Sequence, residues 1–177
     1  MGSIEIIDKP LDRAELSRRY AAMIDDPLYS GITGRLELNA WGQIIMTPPA
    51  DVWHYCLAAR LARRLAGALG GESFQEGAIA CDGSGVLIAD VVWCSPAFFA
   101  AHGRDRVLQR APEICAEVLS PSSSTREIDE KTRGYLAAGA LEVWIVDPEG
   151  RTITVHGQDG VKSRSDFGVD LAGLFDA

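Results

Sequence analysis

The chain has 177 residues, 47% of them hydrophobic and 24% charged, which suits a single domain with a buried core. Its formal net charge is −8, with 25 acidic residues against 17 Lys and Arg, and this argues against a broad basic surface for nucleic acid without excluding a nuclease. No apolar stretch is long enough to span a bilayer, and residues 1–10, with Glu5, Asp8 and Lys9, lack the apolar centre of a leader peptide; a cytoplasmic protein is expected.

In chain order, residues 11–24 form the first predicted helix. Leu16, Tyr20, Met23 and Ile24 share one face, and Asp25, Asp26 and Pro27 stop it. Residues 35–39 and 43–47 are predicted to pair as a hairpin around Ala40, Trp41 and Gly42. Asp51 is a good N-cap for the longest helix, residues 52–69. Its repeating face carries Val52, Tyr55, Cys56, Ala59, Ala62, Leu65, Ala66 and Leu69, and Gly70 and Gly71 end it. This helix could also supply a dimer face. Strands are predicted at 73–80 and 86–93, joined by Asp82, Gly83 and Ser84. A short helix at 96–102, a buried strand at 114–119 and a helix at 126–138 ending at Gly139 follow. Two last strands, 141–146 and 152–156, are joined through Asp147, Pro148, Glu149 and Gly150, a strong turn sequence. This order predicts one α/β (α+β) domain over residues 1–177, a mixed central sheet flanked by helices.

Cys56, Cys81, Cys94 and Cys115 form no CxxC pair, so zinc-ligand spacing is absent, and the apolar surroundings of most of them read as buried thiols of a reducing compartment. Trp41, Trp53, Trp93 and Trp144 read as packing residues, and His102 and His156 as surface or turn residues.

Two acids stand where apolar residues are expected. Asp90 interrupts Val86-Leu87-Ile88-Ala89-Asp90-Val91-Val92-Trp93, and Glu117 interrupts Ile114-Cys115-Ala116-Glu117-Val118-Leu119. An unpaired charge in a core costs on the order of several kcal/mol, so each needs a partner. Either an Arg and loop amides supply it, or a hard divalent cation lies between the two acids. Ser120-Pro121-Ser122-Ser123-Ser124 ends the strand and offers an N-cap, with an anion-binding helix end as the other reading. Lys131 and Tyr135 share a face of the next helix; Lys131 either pairs with Glu127 at the surface or reaches Glu117.

The segment Ala89-Asp90-Val91-Val92-Trp93-Cys94-Ser95-Pro96 resembles the "PDVVFVSP" signature of the Uma family, restriction endonuclease-like proteins of the PD-(D/E)XK nuclease superfamily. Glu117-Val118-Leu119-Ser120-Pro121-Ser122 resembles its "EVLSPS" block. Glu130-Lys131, Tyr135, Gly139 and Glu142-Val143-Trp144-Ile145-Val146-Asp147-Pro148 resemble "EK…Y…AG…EYWLVDP". Glu37-Leu38 and Met46-Thr47-Pro48-Pro49 resemble the ends of "ELIDGELVVMSPP", and His54 falls where the family helix carries a His.

The resemblance implies a restriction endonuclease-like fold and a metal-dependent endonuclease that hydrolyses nucleic-acid phosphodiesters. It makes Asp90 and Glu117 ligands of Mg²⁺ or Mn²⁺ and Lys131 the catalytic lysine, with Glu37, His54 and Tyr135 lining the site. The expected partners are DNA and a second copy of the chain, with no membrane. Three departures stand out: Ala89 replaces the proline before the aspartate, Leu119 stands where the superfamily's E-x-K lysine would be, and the hairpin Glu37-Leu38-Asn39-Ala40-Trp41-Gly42-Gln43 departs from the family pattern. With the acidic net charge, they leave a second reading open: a catalytically weak, nuclease-derived oligomeric binding or regulatory module.

Overall fold

The computed structural model describes residues 9–121 and 123–176. Glu5 and Asp8 of the N-terminal segment and Ser122 of the serine run lie outside the described residues. Helix α1 (Arg13–Asp25) is capped by Asp12, whose carboxylate accepts the Glu15 N–H, and a 3₁₀ turn, Pro27–Tyr29, follows it. β1 (Arg35–Asn39) and β2 (Ile44–Thr47) form the expected hairpin. α2 (Val52–Leu69) starts on Asp51, as predicted, and stops at Gly70 and Gly71, both at positive φ. A Cβ on Gly71 would lie 2.3 Å from the Cys94 carbonyl oxygen, so only glycine lets the chain turn this close to the sheet.

β3 (Glu72–Cys81) and β4 (Gly85–Cys94) pair along their whole length, and α3 (Pro96–His102) follows. β5 (Ile114–Val118), α4 (Thr125–Ala137) and β6 (Glu142–Asp147) form a parallel crossover, and β7 (Thr152–Gly157) and β8 (Gly160–Lys162) complete the order. β8 carries no signal strong enough to have been predicted. Among the described residues one mixed sheet holds eight strands in the order β2-β1-β4-β5-β6-β7-β8, with β3 on β4 beside this path. The predicted mixed sheet with flanking helices is the architecture observed.

The period-2 pattern of β5 and β6 sorts the core. Ile114, Ala116, Val118, Trp144 and Val146 pack with Leu57, Leu61 and Leu65 of α2. Cys115, Val143 and Ile145 pack instead with Phe98 of α3 and Tyr135 of α4. Glu117 has the parity of Cys115 and so points toward α4. A third cluster joins Leu16, Tyr20 and Met23 of α1 to Leu38, Val86 and Ile88.

Four expectations are corrected. Ile24, placed on the buried face of α1 with Leu16, Tyr20 and Met23, is exposed at the end of the helix. The buried stripe of α2 is His54, Leu57, Ala58, Leu61, Ala62 and Leu65, whereas Val52 is 79% exposed and Tyr55 and Cys56 are exposed. Alanines on both sides make two stripes look apolar, and the bulkier leucines decide which one is buried. Cys56 is therefore not a packed thiol, although Cys81, Cys94 and Cys115 are. Trp93 and Trp144 are core residues, but Trp41 and Trp53 are exposed, the latter beneath the Arg60 guanidinium at 5.1 Å.

Phe167, Leu171, Leu174 and Phe175, in the segment after β8, pack on the α2 cluster. Side chains hold this segment in place. The buried Glu142 carboxylate accepts from Lys162 Nζ (2.8 Å), Ser165 Oγ (2.6 Å), the Asp166 N–H (2.8 Å) and Trp144 Nε1 (2.8 Å). Arg60 and Arg64 of α2 donate to the Leu174 and Asp170 carbonyls.

Candidate active site

The site lies where the sheet forks. On the edge of β4 opposite β3, β1 pairs only at Gly85 and Val86, and β5 only at Val91, Val92 and Trp93. Among the described residues, 87–90 have no strand partner on that edge, and a buried backbone group without a partner is costly. Charged side chains take the place of the ladder. The Ile88 N–H donates to Glu37 Oε1 at 2.7 Å. The Ile88 carbonyl accepts from Lys131 Nζ at 3.1 Å and from Arg35 Nη1 at 3.4 Å. The Val118 N–H, at the end of β5, donates to Asp90 Oδ2 at 2.7 Å.

All six residues singled out by motif or resemblance meet here. Asp90 Oδ1 accepts from Arg35 Nη2, and His54 Nε2 stands 3.4 Å away. Lys131 Nζ lies 3.0 Å from Glu37 Oε1 and 3.3 Å from Glu117 Oε2. The Tyr135 hydroxyl donates to Glu117 Oε1 at 2.6 Å. Lys131 is thus buried and serves the interior acids, not Glu127 at the surface. Among the described residues, His54 Nδ1 is buried with no hydrogen-bond partner. In the serine run, Ser124 caps α4 through the Glu127 N–H, and Ser123 Oγ accepts from the Ser120 N–H.

The two acids are not bare charges. Arg35 answers Asp90 and Lys131 answers Glu117, which is the Arg-and-amide alternative of the sequence reading. Among the described residues no three His, Cys, Asp or Glu side chains gather into a ready metal cage.

The two carboxyls titrate in opposite directions. Burial pushes Asp90 up, but the His54 hydrogen bond and the Arg35 charge outweigh it and hold the group at about 2. Burial pushes Glu117 up to about 7, and Asp90 and Glu37 add to this against the pull of Lys131. Burial disfavours the Lys131 ammonium, yet Glu117 and Glu37 more than compensate and raise it above its ordinary value. The site is therefore a fixed carboxylate and a fixed ammonium around an acid poised near neutrality.

A cleft of about 810 Å³ opens on the cluster, lined by Arg35, His54, Asp90, Glu117 and Lys131, with Ser120, Pro121 and Ser123 at its rim. Two lining residues escaped the sequence reading. Arg35 lies two residues before Glu37 on the same strand, hence on the same face, and that spacing was its available signal. Glu76, on β3 between the pairs Gln75–Val91 and Gly77–Ala89, lines the cleft with a φ of 56°, and nothing local foretells this conformation.

A solved structure from Anabaena variabilis ATCC 29413, described as "a putative nuclease belonging to DUF820", is similar in fold with a TM-score of 0.68. It is 18% identical, and the match covers 86% of this chain and 96% of that one. No curated protein matches the chain. The Uma2 family, described as "Putative restriction endonuclease", matches residues 26–169, which include every residue of the cluster. The chain belongs to the Uma2 family of restriction endonuclease-like proteins.

Proposed function

We propose that the chain is a metal-dependent endonuclease that hydrolyses nucleic-acid phosphodiesters, DNA first among them. The observation that carries this reading is the convergence of Asp90, Glu117 and Lys131 on one open cleft, in a chain whose family has that description. The donor set suits a hard divalent ion. Among the described residues, Asp90 Oδ2 and Glu117 Oε2 are carboxylate oxygens with one protein partner each, so each keeps a lone pair. In this reading Asp90 and Glu117 hold Mg²⁺ or Mn²⁺. When bound, such an ion supplies Lewis acidity that activates a water and stabilises the leaving oxygen.

The chain's own groups do the rest. Lys131, kept charged by Glu37 and Glu117, offers its ammonium to a phosphate oxygen as negative charge develops. Tyr135 fixes the Glu117 carboxylate, and His54 and the Val118 N–H fix Asp90. The Lys131 cation thus replaces the lysine missing at position 119.

Plasmid DNA incubated with the protein and Mg²⁺ or Mn²⁺ is expected to be nicked or linearised, and Asp90→Ala is expected to leave it supercoiled. Cleavage that survives the substitution sinks the site. No cleavage by the parent with either ion overturns the enzyme and leaves the binding module.

A homodimer belongs to this reading. Edge strand β2 is uncharged and exposes Ile44, Ile45 and Met46, the surface an unprotected edge offers to a second strand. Ile45→Lys is expected to turn a dimer into a monomer in light scattering; an unchanged mass removes β2 from the interface.

A further inference from the structure

The charge of the cleft is a poor match for a nucleic-acid duplex. Among the described residues, its lining carries two cations, Arg35 and Lys131, against the carboxyl groups of Asp51, Glu76, Asp90, Glu117 and Glu127. Both cations are already engaged by acids, Arg35 by Asp90 and Lys131 by Glu37 and Glu117. Proteins that hold a duplex neutralise several phosphates with Lys and Arg, and this supplies essentially all of their sequence-independent affinity. Two engaged cations supply little of it.

The start of α2 offers a different contact. Past β2, Thr47, Pro48, Pro49 and Ala50 line the cleft before Asp51 caps the helix. Tyr55, four residues after that cap, also lines the cleft and is 41% exposed. Its ring meets the His54 ring edge-on, with centroids 5.8 Å apart and planes at 76°. His54 in turn stands 3.4 Å from Asp90. An exposed aromatic ring thus lies one residue removed from an acid proposed to hold the ion. A base can stack on such a ring whatever its identity, because every base has a π-face. In a duplex that face is covered by the neighbouring pairs; in an unpaired strand it is free to turn outward.

We propose that the cleft takes an unpaired DNA strand, with a base beside the reacting phosphate stacked on Tyr55, and that this stacking sets its affinity more than phosphate neutralisation does. This rests on the endonuclease reading above and names its substrate. Negative supercoiling favours strand opening, so a supercoiled plasmid still offers such segments.

The test is fluorescence anisotropy of a short labelled DNA strand, alone and annealed to its complement, with Ca²⁺ in place of Mg²⁺ to hold back cleavage. The parent is expected to bind the single strand at least about tenfold more tightly than the duplex. Tyr55→Ala is expected to weaken single-strand binding by about 5- to 150-fold, the usual effect of losing one stacked base, and Tyr55→Phe to keep the parent's affinity. With at most two phosphates neutralised, the logarithm of the binding constant should fall against that of salt with a slope no steeper than about −1.4. A steeper slope, a duplex bound as tightly as the single strand, or binding of neither overturns the inference. So does Tyr55→Ala binding like the parent, or Tyr55→Phe binding as weakly as Tyr55→Ala. The plasmid assay decides the enzyme separately. A cut plasmid with the duplex preferred overturns the strand preference alone. An uncut plasmid beside tight, Tyr55-dependent single-strand binding overturns the enzyme and keeps the strand preference.

Discussion

Replacing Lys131 with methionine is expected to lower the unfolding free energy by about 3–5 kcal/mol at pH 8, the usual cost of removing one partner from a buried ion pair. Methionine preserves most of the packing volume, so the loss falls on charge. Glu37 and Glu117 would face each other across the fork without a cation, and the Ile88 carbonyl would lose its closest side-chain donor. The cost should shrink at pH 5, because a protonated Glu117 needs no counter-ion, and Glu37 alone then carries the penalty. Urea denaturation at the two pH values separates this from lost packing, which would cost the same at both.

Glu117→Gln is expected to separate stability from activity. The folded protein holds the Glu117 proton up to about 7, against an ordinary 4.5. A raised carboxyl contributes stability that is fully present below about 4.5 and is lost as the pH rises through about 7. Glutamine cannot titrate, so the variant should gain on the parent between pH 5 and pH 8. A span of this size caps the gain at about 3 kcal/mol, and we expect about 1–3 kcal/mol by urea denaturation. Over the same comparison, DNA cleavage should fall by at least about 100-fold, because a proposed ion ligand is lost. A group that destabilises the fold at working pH while serving its chemistry is what a functional acid is expected to be. Cleavage by Glu117→Gln at the parent's rate would remove Glu117 from the mechanism.

The parts of this molecule that local physics dictates were legible in the sequence. Caps at Asp51 and Ser124, glycines after α2 and the turn after β6 set their boundaries through neighbours a few residues away. Asp90 and Glu117 were visible because each breaks an apolar strand. Lys131 and Tyr135 showed only a shared helix face, and the partner across it came from the family resemblance. Arg35 went unread because an arginine opening a strand is ordinary, and only the Asp90 pairing, 55 residues away, gives it a purpose. The fork was invisible for the same reason: no residue within β1 marks where it parts from β4. The face of α2 was misread because its alanines made both sides look buried.

The segment after β8 has a consequence for synthesis. Arg60 and Arg64 contact residues more than 100 positions later, and Leu57, Leu61 and Leu65 share their cluster with Leu174. A helix made early thus keeps an incomplete apolar cover until the segment around Leu174 has left the ribosome. Contacts this distant slow folding, and translation at about 5–20 residues per second leaves that surface open for several seconds. In the cell this interval, more than the finished fold, is where a chaperone would engage the chain.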